Sequence, residues 1–123
     1  MNGNSSKALV EAMLMLLNQL KLHHWTADKY GQHLATDSLY GKFSDNVDKI
    51  VEVSLALFPH KAAGAVNLGL SMMVGSKGTK PFLEMMHKQL TAIHSSTDVP
   101  EFKNILEEML SDTAQAIYLC RMD

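Results

Sequence analysis

His33 and Asp37 stand four residues apart, as do Asp48 and Glu52, and an eleven-residue step separates Asp37 from Asp48. Imidazole and carboxylate are donors that suit Fe(II), Mn(II) or Zn(II). A four-residue step brings two side chains together on a helix, because each residue turns about 100° and rises about 1.5 Å. With His33 set at zero, Asp37 falls at about 40°, Asp48 at about 60° and Glu52 at about 100° by this rotation. Leu39, Phe43, Val47, Ile50, Leu57 and Phe58 fall on the opposite side, between about 240° and about 340°. One helix thus carries a core face and a separate face of potential ligands.

The midpoints of the two pairs lie roughly 22 Å apart along the axis, and metal–ligand bonds are about 2 Å long. One ion cannot bridge both pairs of one helix. A second copy running antiparallel across a two-fold axis removes the difficulty, since His33 and Asp37 of one subunit then face Asp48 and Glu52 of the other. Two equivalent sites result, with the axis between Lys42 and Phe43, and the patch is self-complementary as a two-fold contact requires. Gly41 lies at about 80° on the same stripe, where a missing side chain permits close approach of a partner helix. The plainer reading of the same residues is a solvated helix face decorated with polar pairs.

These residues need a helical frame, and the chain supplies one. It has 123 residues, 46% apolar and 20% charged, which fits a single globular domain over 1–123 and is too short for two. Strand alternation is scarce. A first helix is expected from about Lys7 to His24, capped by Ser5 or Ser6, with Leu9, Ala12, Met13, Leu16, Leu17 and Leu20 on its apolar stripe. Residues 25–31 read as a short connection, so the next helix is an antiparallel neighbour. That helix is expected from about Gln32 to Phe58, stopped by Pro59.

Residues 60–80 are rich in Gly and Ala and read as a short helix or irregular crossover, followed by a turn at "GSKGTK". Pro81 then suits the first position of a third helix to about Ser95, with Thr79 as cap. Pro100 opens a fourth to about Met122. The expected fold is all-α: a ferritin-like four-helix bundle with a longer connection between helices two and three.

Charge and composition exclude several functions. The formal net charge is −2, with acidic and basic residues interspersed, so the basic stripe that nucleic acid demands is missing. The single Cys, Cys120, excludes an internal disulfide and a multi-Cys zinc site and fits a reducing cytoplasm. No apolar run reaches the roughly 18 residues that a membrane span needs. The stretch "ALVEAMLMLLNQLKL" lacks the basic start and cleavage signature of a signal peptide.

"LHHW", followed by His-x3-Asp-x2-Tyr and Asp-x3-Glu, resembles Dps, the ferritin-like DNA-binding protein of starved cells. The Leu-His-Trp of that family falls on Leu22 or its neighbour, His24 and Trp25. Its second His and its Asp fall on His33 and Asp37, its Leu-Tyr on Leu39 and Tyr40, and its Asp and Glu on Asp48 and Glu52. The resemblance covers about residues 15–58.

It implies a ferroxidase site between two-fold-related subunits, with His24, His33 and Asp37 from one chain and Asp48 and Glu52 from the other. Fe(II) would be oxidised there by peroxide or oxygen, and ferric mineral stored in a hollow homo-oligomer: a dimer at minimum, and up to a dodecamer or smaller shell. Zn2+ or Mn2+ could replace iron on the same donors. The step from His24 to His33 is shorter than in that family, which brings His23 forward as a substitute ligand. The Lys-rich tail of that family is lacking, so DNA binding is not expected. The rival reading is a helical homo-oligomeric interaction module with a structural or vestigial metal site.

Other residues have plainer roles. Glu84 and His87 have the spacing of a di-iron motif on a bundle helix, but the fourth helix offers only Glu107, Glu108 and Asp112 and no His. His60 and His94 read as loop or helix-end residues. Most Met residues, among them Met13, Met15, Met72, Met73, Met85 and Met86, read as adaptable core filler. Trp25 and Tyr40 flank the ligands and read chiefly as packing. Cys120 has no adjacent base.

Overall fold

The computed structural model describes residues 3–58 and 75–121, and within them the chain forms four α-helices and no strand. They are α1 (Gly3–Thr26), α2 (Tyr30–Leu57), α3 (Gly75–Ser96) and α4 (Pro100–Cys120). The fold is an all-α four-helix bundle, as the sequence led one to expect.

Helix ends follow local chemistry in part. Pro59 ends α2 one residue earlier than expected: Phe58 leaves the helical region at φ −136° and ψ 61°, as a residue before proline does. Pro100 is the first residue of α4, where its missing N–H is no loss. Thr97, fully buried, accepts a hydrogen bond from the Val99 N–H at 3.2 Å and braces that turn.

Three expectations need correction. The first helix begins at Gly3, so Ser5 and Ser6 lie inside it rather than at a cap, and it runs on through Trp25 to Thr26. The third begins at Gly75 and carries Pro81 in its interior, so "GSKGTK" is helical and Thr79 is no cap. The reason is tertiary: Thr79 is fully buried and Phe82 nearly so, and burial of this turn against α1 overrides weak local propensity. Leu57, placed on the core face by rotation, is exposed. The rest of the expected crossover, residues 59–74, lies outside the described residues, as do His60, Met72 and Met73.

The core is built from one stripe of each helix: Leu9, Met13, Leu16 and Leu20 of α1; Leu39, Phe43, Val47 and Ile50 of α2; Leu83, Met86 and Leu90 of α3; Phe102, Leu106 and Met109 of α4. Met13, Met86 and Met109 fill the interior as expected, whereas Met85, expected there too, is exposed. Neighbours around the bundle are α1 with α2, α2 with α4, α4 with α3, and α3 with α1.

Each neighbouring pair is antiparallel. The short loops settle two pairs. In the third, His23 near the end of α1 meets Thr79 and Phe82 near the start of α3. In the fourth, Ala35 to Lys42 of α2 share a small cavity with Asp112 to Leu119 of α4. The end of α2 and the start of α3 therefore lie at opposite ends of the bundle. A connection between them must be long, which is why a short turn could not serve there.

Candidate functional site

The loop of residues 27–29 folds the end of α1 back against the start of α2. His24, in the last turn of α1, thereby meets residues from the first two turns of α2. The His24 and His33 rings stack, with centroids 4.2 Å apart and 27° between planes. His24 Nε2 lies 3.8 Å from Asp37 Oδ1. On the other edge of the ring, Nδ1 lies 3.3 Å from both the His33 carbonyl oxygen and Thr36 Oγ1. The His24 side chain is mostly covered, at 11% exposed, while that of Asp37 is 67% exposed. A shielded imidazole thus lies near an open carboxylate, with His33 beside it.

The two adjacent histidines have opposite environments. His23 turns into the bundle and is 3% exposed. Its ring stacks on Phe82 at 4.4 Å and 15°, and Nδ1 lies 3.5 Å from Thr79 Oγ1. Burial pushes its imidazole down to about 4, because a charged ring has lost its water there. His23 is therefore core, and the substitute-ligand role expected for it is withdrawn. A helix turn of about 100° between neighbours places His23 and His24 on different faces.

Asp48 and Glu52 are exposed on the outward stripe of α2. Helical rise alone keeps them roughly 22 Å from the His33–Asp37 pair of their own chain. Among the described residues, no group of three or more His, Cys, Asp or Glu could hold a metal ion. In one chain His24 touches His33 and lies near Asp37 without the three forming such a group, and Asp48 and Glu52 lie apart.

That stripe also carries apolar surface. Tyr30, Leu34 and Leu55 are exposed. Rotation from His33 places them at about 60°, about 100° and about 40°, among the four polar donors. A Cβ built on Gly41 meets no atom within 4 Å, so this stretch of the face is open. Exposed Trp25 lies at the end of α1, with Lys21 Nζ 5.8 Å from its ring centroid and 4.4 Å from that of Tyr40.

The Glu84–His87 pair has a different setting. It lines a groove of about 390 Å³ between α3 and α4 together with Ala114, Ile117, Tyr118 and Arg121. The α4 carboxylates go elsewhere. Glu107 pairs with His94 at 3.0 Å. Burial, with Glu108 adding and Lys42 opposing, raises the Asp112 carboxyl above its ordinary range. An Arg in place of further carboxylates does not make a di-iron cage, and that alternative is set aside.

Sequence reading missed Thr36. Its only advance signal is a hydroxyl three residues after His33 and one before Asp37, on the side of α2 that faces α1.

The fold and this site define a four-helix-bundle protein with a surface imidazole–carboxylate cluster at one helix hairpin. Residues 24–120 match a family of unknown function, DUF5856, and the chain belongs to that family. No curated protein and no solved structure matches it.

Proposed function

We propose that the protein is a shortened, Dps-like ferroxidase that binds and oxidises Fe(II) between two-fold-related subunits. The observation that carries this reading is His24 Nε2 facing Asp37 Oδ1 at 3.8 Å beside His33, at one end of a stripe whose other end carries Asp48 and Glu52. An antiparallel two-fold pairing of α2 sets His33 opposite Glu52 and Asp37 opposite Asp48. It also sets exposed Tyr30 opposite exposed Leu55, so apolar surface is covered where the donors meet. Gly41 lies beside the axis, where helices approach most closely. The long α2–α3 connection and the all-antiparallel neighbours agree with a ferritin-like frame.

Iron is the substrate in this reading. Two imidazoles and one carboxylate from one subunit, with two carboxylates from the partner, are suited to Fe(II), and equally to Mn(II) or Zn(II). The exposed carboxylates admit the cation, the shielded His24 orients it, and the electrons come from iron itself. Storage of ferric mineral follows only if dimers close into a shell, as a hollow dodecamer or a smaller assembly. Interspersed charge argues against a DNA-compacting role. Among the described residues no helix is long and apolar enough to cross a membrane.

The test is anaerobic Fe(II) loading followed by peroxide, with absorbance of ferric species recorded for the parent and for Asp48→Ala/Glu52→Ala. The double variant is expected to lose rapid oxidation and keep its helical circular dichroism, since both side chains point away from the core. Equal rates in parent and variant would refute the assignment. A helical interaction module with a structural or vestigial site would bind metal without turnover, or bind none.

A further inference from the structure

We infer that Thr36 is a positioning residue that fixes the tautomer and aim of His24. Thr36 is fully buried. Its Oγ1 lies 2.8 Å from the Gln32 carbonyl oxygen and 3.1 Å from that of His33. A hydroxyl has one proton, and here it is committed to the backbone of its own helix. Toward His24 the Thr36 oxygen has only lone pairs to offer.

His24 Nδ1 therefore faces two acceptors at 3.3 Å, the Thr36 hydroxyl oxygen and the His33 carbonyl oxygen. Nδ1 must carry the hydrogen, or three sets of lone pairs would converge without a proton between them. A neutral imidazole has one N–H, so Nε2 is left bare. The bare nitrogen lies 3.8 Å from a carboxylate oxygen of Asp37. In this neutral form neither atom can donate to the other, so the pair is open to a proton or to a metal cation.

An imidazole whose far nitrogen donates to a fixed acceptor is the arrangement that orients metal-binding histidines. Only this last step rests on the ferroxidase reading; the tautomer stands on the contacts of the chain itself.

The experiment uses the 15N-labelled full chain. Long-range 1H–15N correlation spectra of the imidazoles at about pH 8, above the ordinary histidine range, identify the tautomer of His24. Calorimetric titration with Zn2+ or Co2+ gives affinity. The parent is expected to show Nδ1–H. Thr36→Val is expected to mix the tautomers and weaken metal affinity roughly 10- to 100-fold, the usual effect of losing such a partner. Thr36→Ser keeps the hydroxyl and is expected to restore both.

Nε2–H as the major form in the parent overturns the inference, and that outcome needs no variant to fold. So does a Thr36→Val spectrum identical to the parent. If the parent binds neither metal but Thr36→Val still shifts the tautomer, the ferroxidase reading fails and the role of Thr36 stands.

Discussion

Acidification is expected to unfold the bundle partly through His23. Its ring is buried between α1 and α3 against Phe82 and Thr79, and its pKa is lowered from 6.5 to about 4. In the unfolded chain the imidazole regains water and its ordinary value, so between these two limits the unfolded state binds a proton that the folded state refuses. Stability from this group is complete above about pH 6.5 and is lost as pH falls toward about 4. At about 1.4 kcal/mol per pKa unit the full loss is about 3 kcal/mol, a large part of the roughly 5–15 kcal/mol typical of a domain.

The assay is urea denaturation followed by far-UV circular dichroism at about pH 7 and about pH 4.5, for the parent and for His23→Leu. At the lower pH the parent has given up most of this stability through His23, and the variant has nothing there to protonate. Carboxylates and the remaining histidines titrate in both proteins and cancel in the difference. His23→Gln, also without a charge to acquire, serves if the Leu variant packs poorly. Parallel pH dependence in the parent and both variants would refute the burial argument.

Two further outcomes test the dimer and the charge. A chain carrying His33→Ala and Asp37→Ala is expected to be inactive alone, as is one carrying Asp48→Ala and Glu52→Ala. Refolded together at random they are expected to recover up to about a quarter of parent Fe(II) oxidation, because half the dimers hold one intact site of two. No recovery, with mixed dimers seen by mass, would place the site within one subunit or remove it. Duplex DNA is expected to show no gel shift at physiological ionic strength, since binding there requires clustered Lys and Arg; a persistent shift would contradict the charge reading.

Local chemistry in the sequence was enough to give four helices and to separate the core face of α2 from its polar face. Periodicity alone separated Leu39, Phe43, Val47 and Ile50, all buried in the bundle, from Asp37, Asp48 and Glu52 outside. The reason is that a rotation of about 100° per residue is intrinsic to the helix. Pro59 and Pro100 punctuated the elements because ring closure acts on the adjacent backbone.

Tertiary structure decided what depends on distant residues. His23 and His24 are identical in type and adjacent, and only packing against Phe82 sends one into the core and leaves the other at the surface with Asp37. The turn before Pro81 is helical because Thr79 and Phe82 are buried there, an energy that local propensity cannot register. The order of helices around the bundle, and with it the placing of the end of α2 and the start of α3 at opposite ends, comes from which stripes pack together. Thr36 became visible only when the loop of residues 27–29 brought His24 within 3.3 Å of its hydroxyl. Contacts between separate helices form only when the chain closes on itself, and no spacing along one helix encodes them.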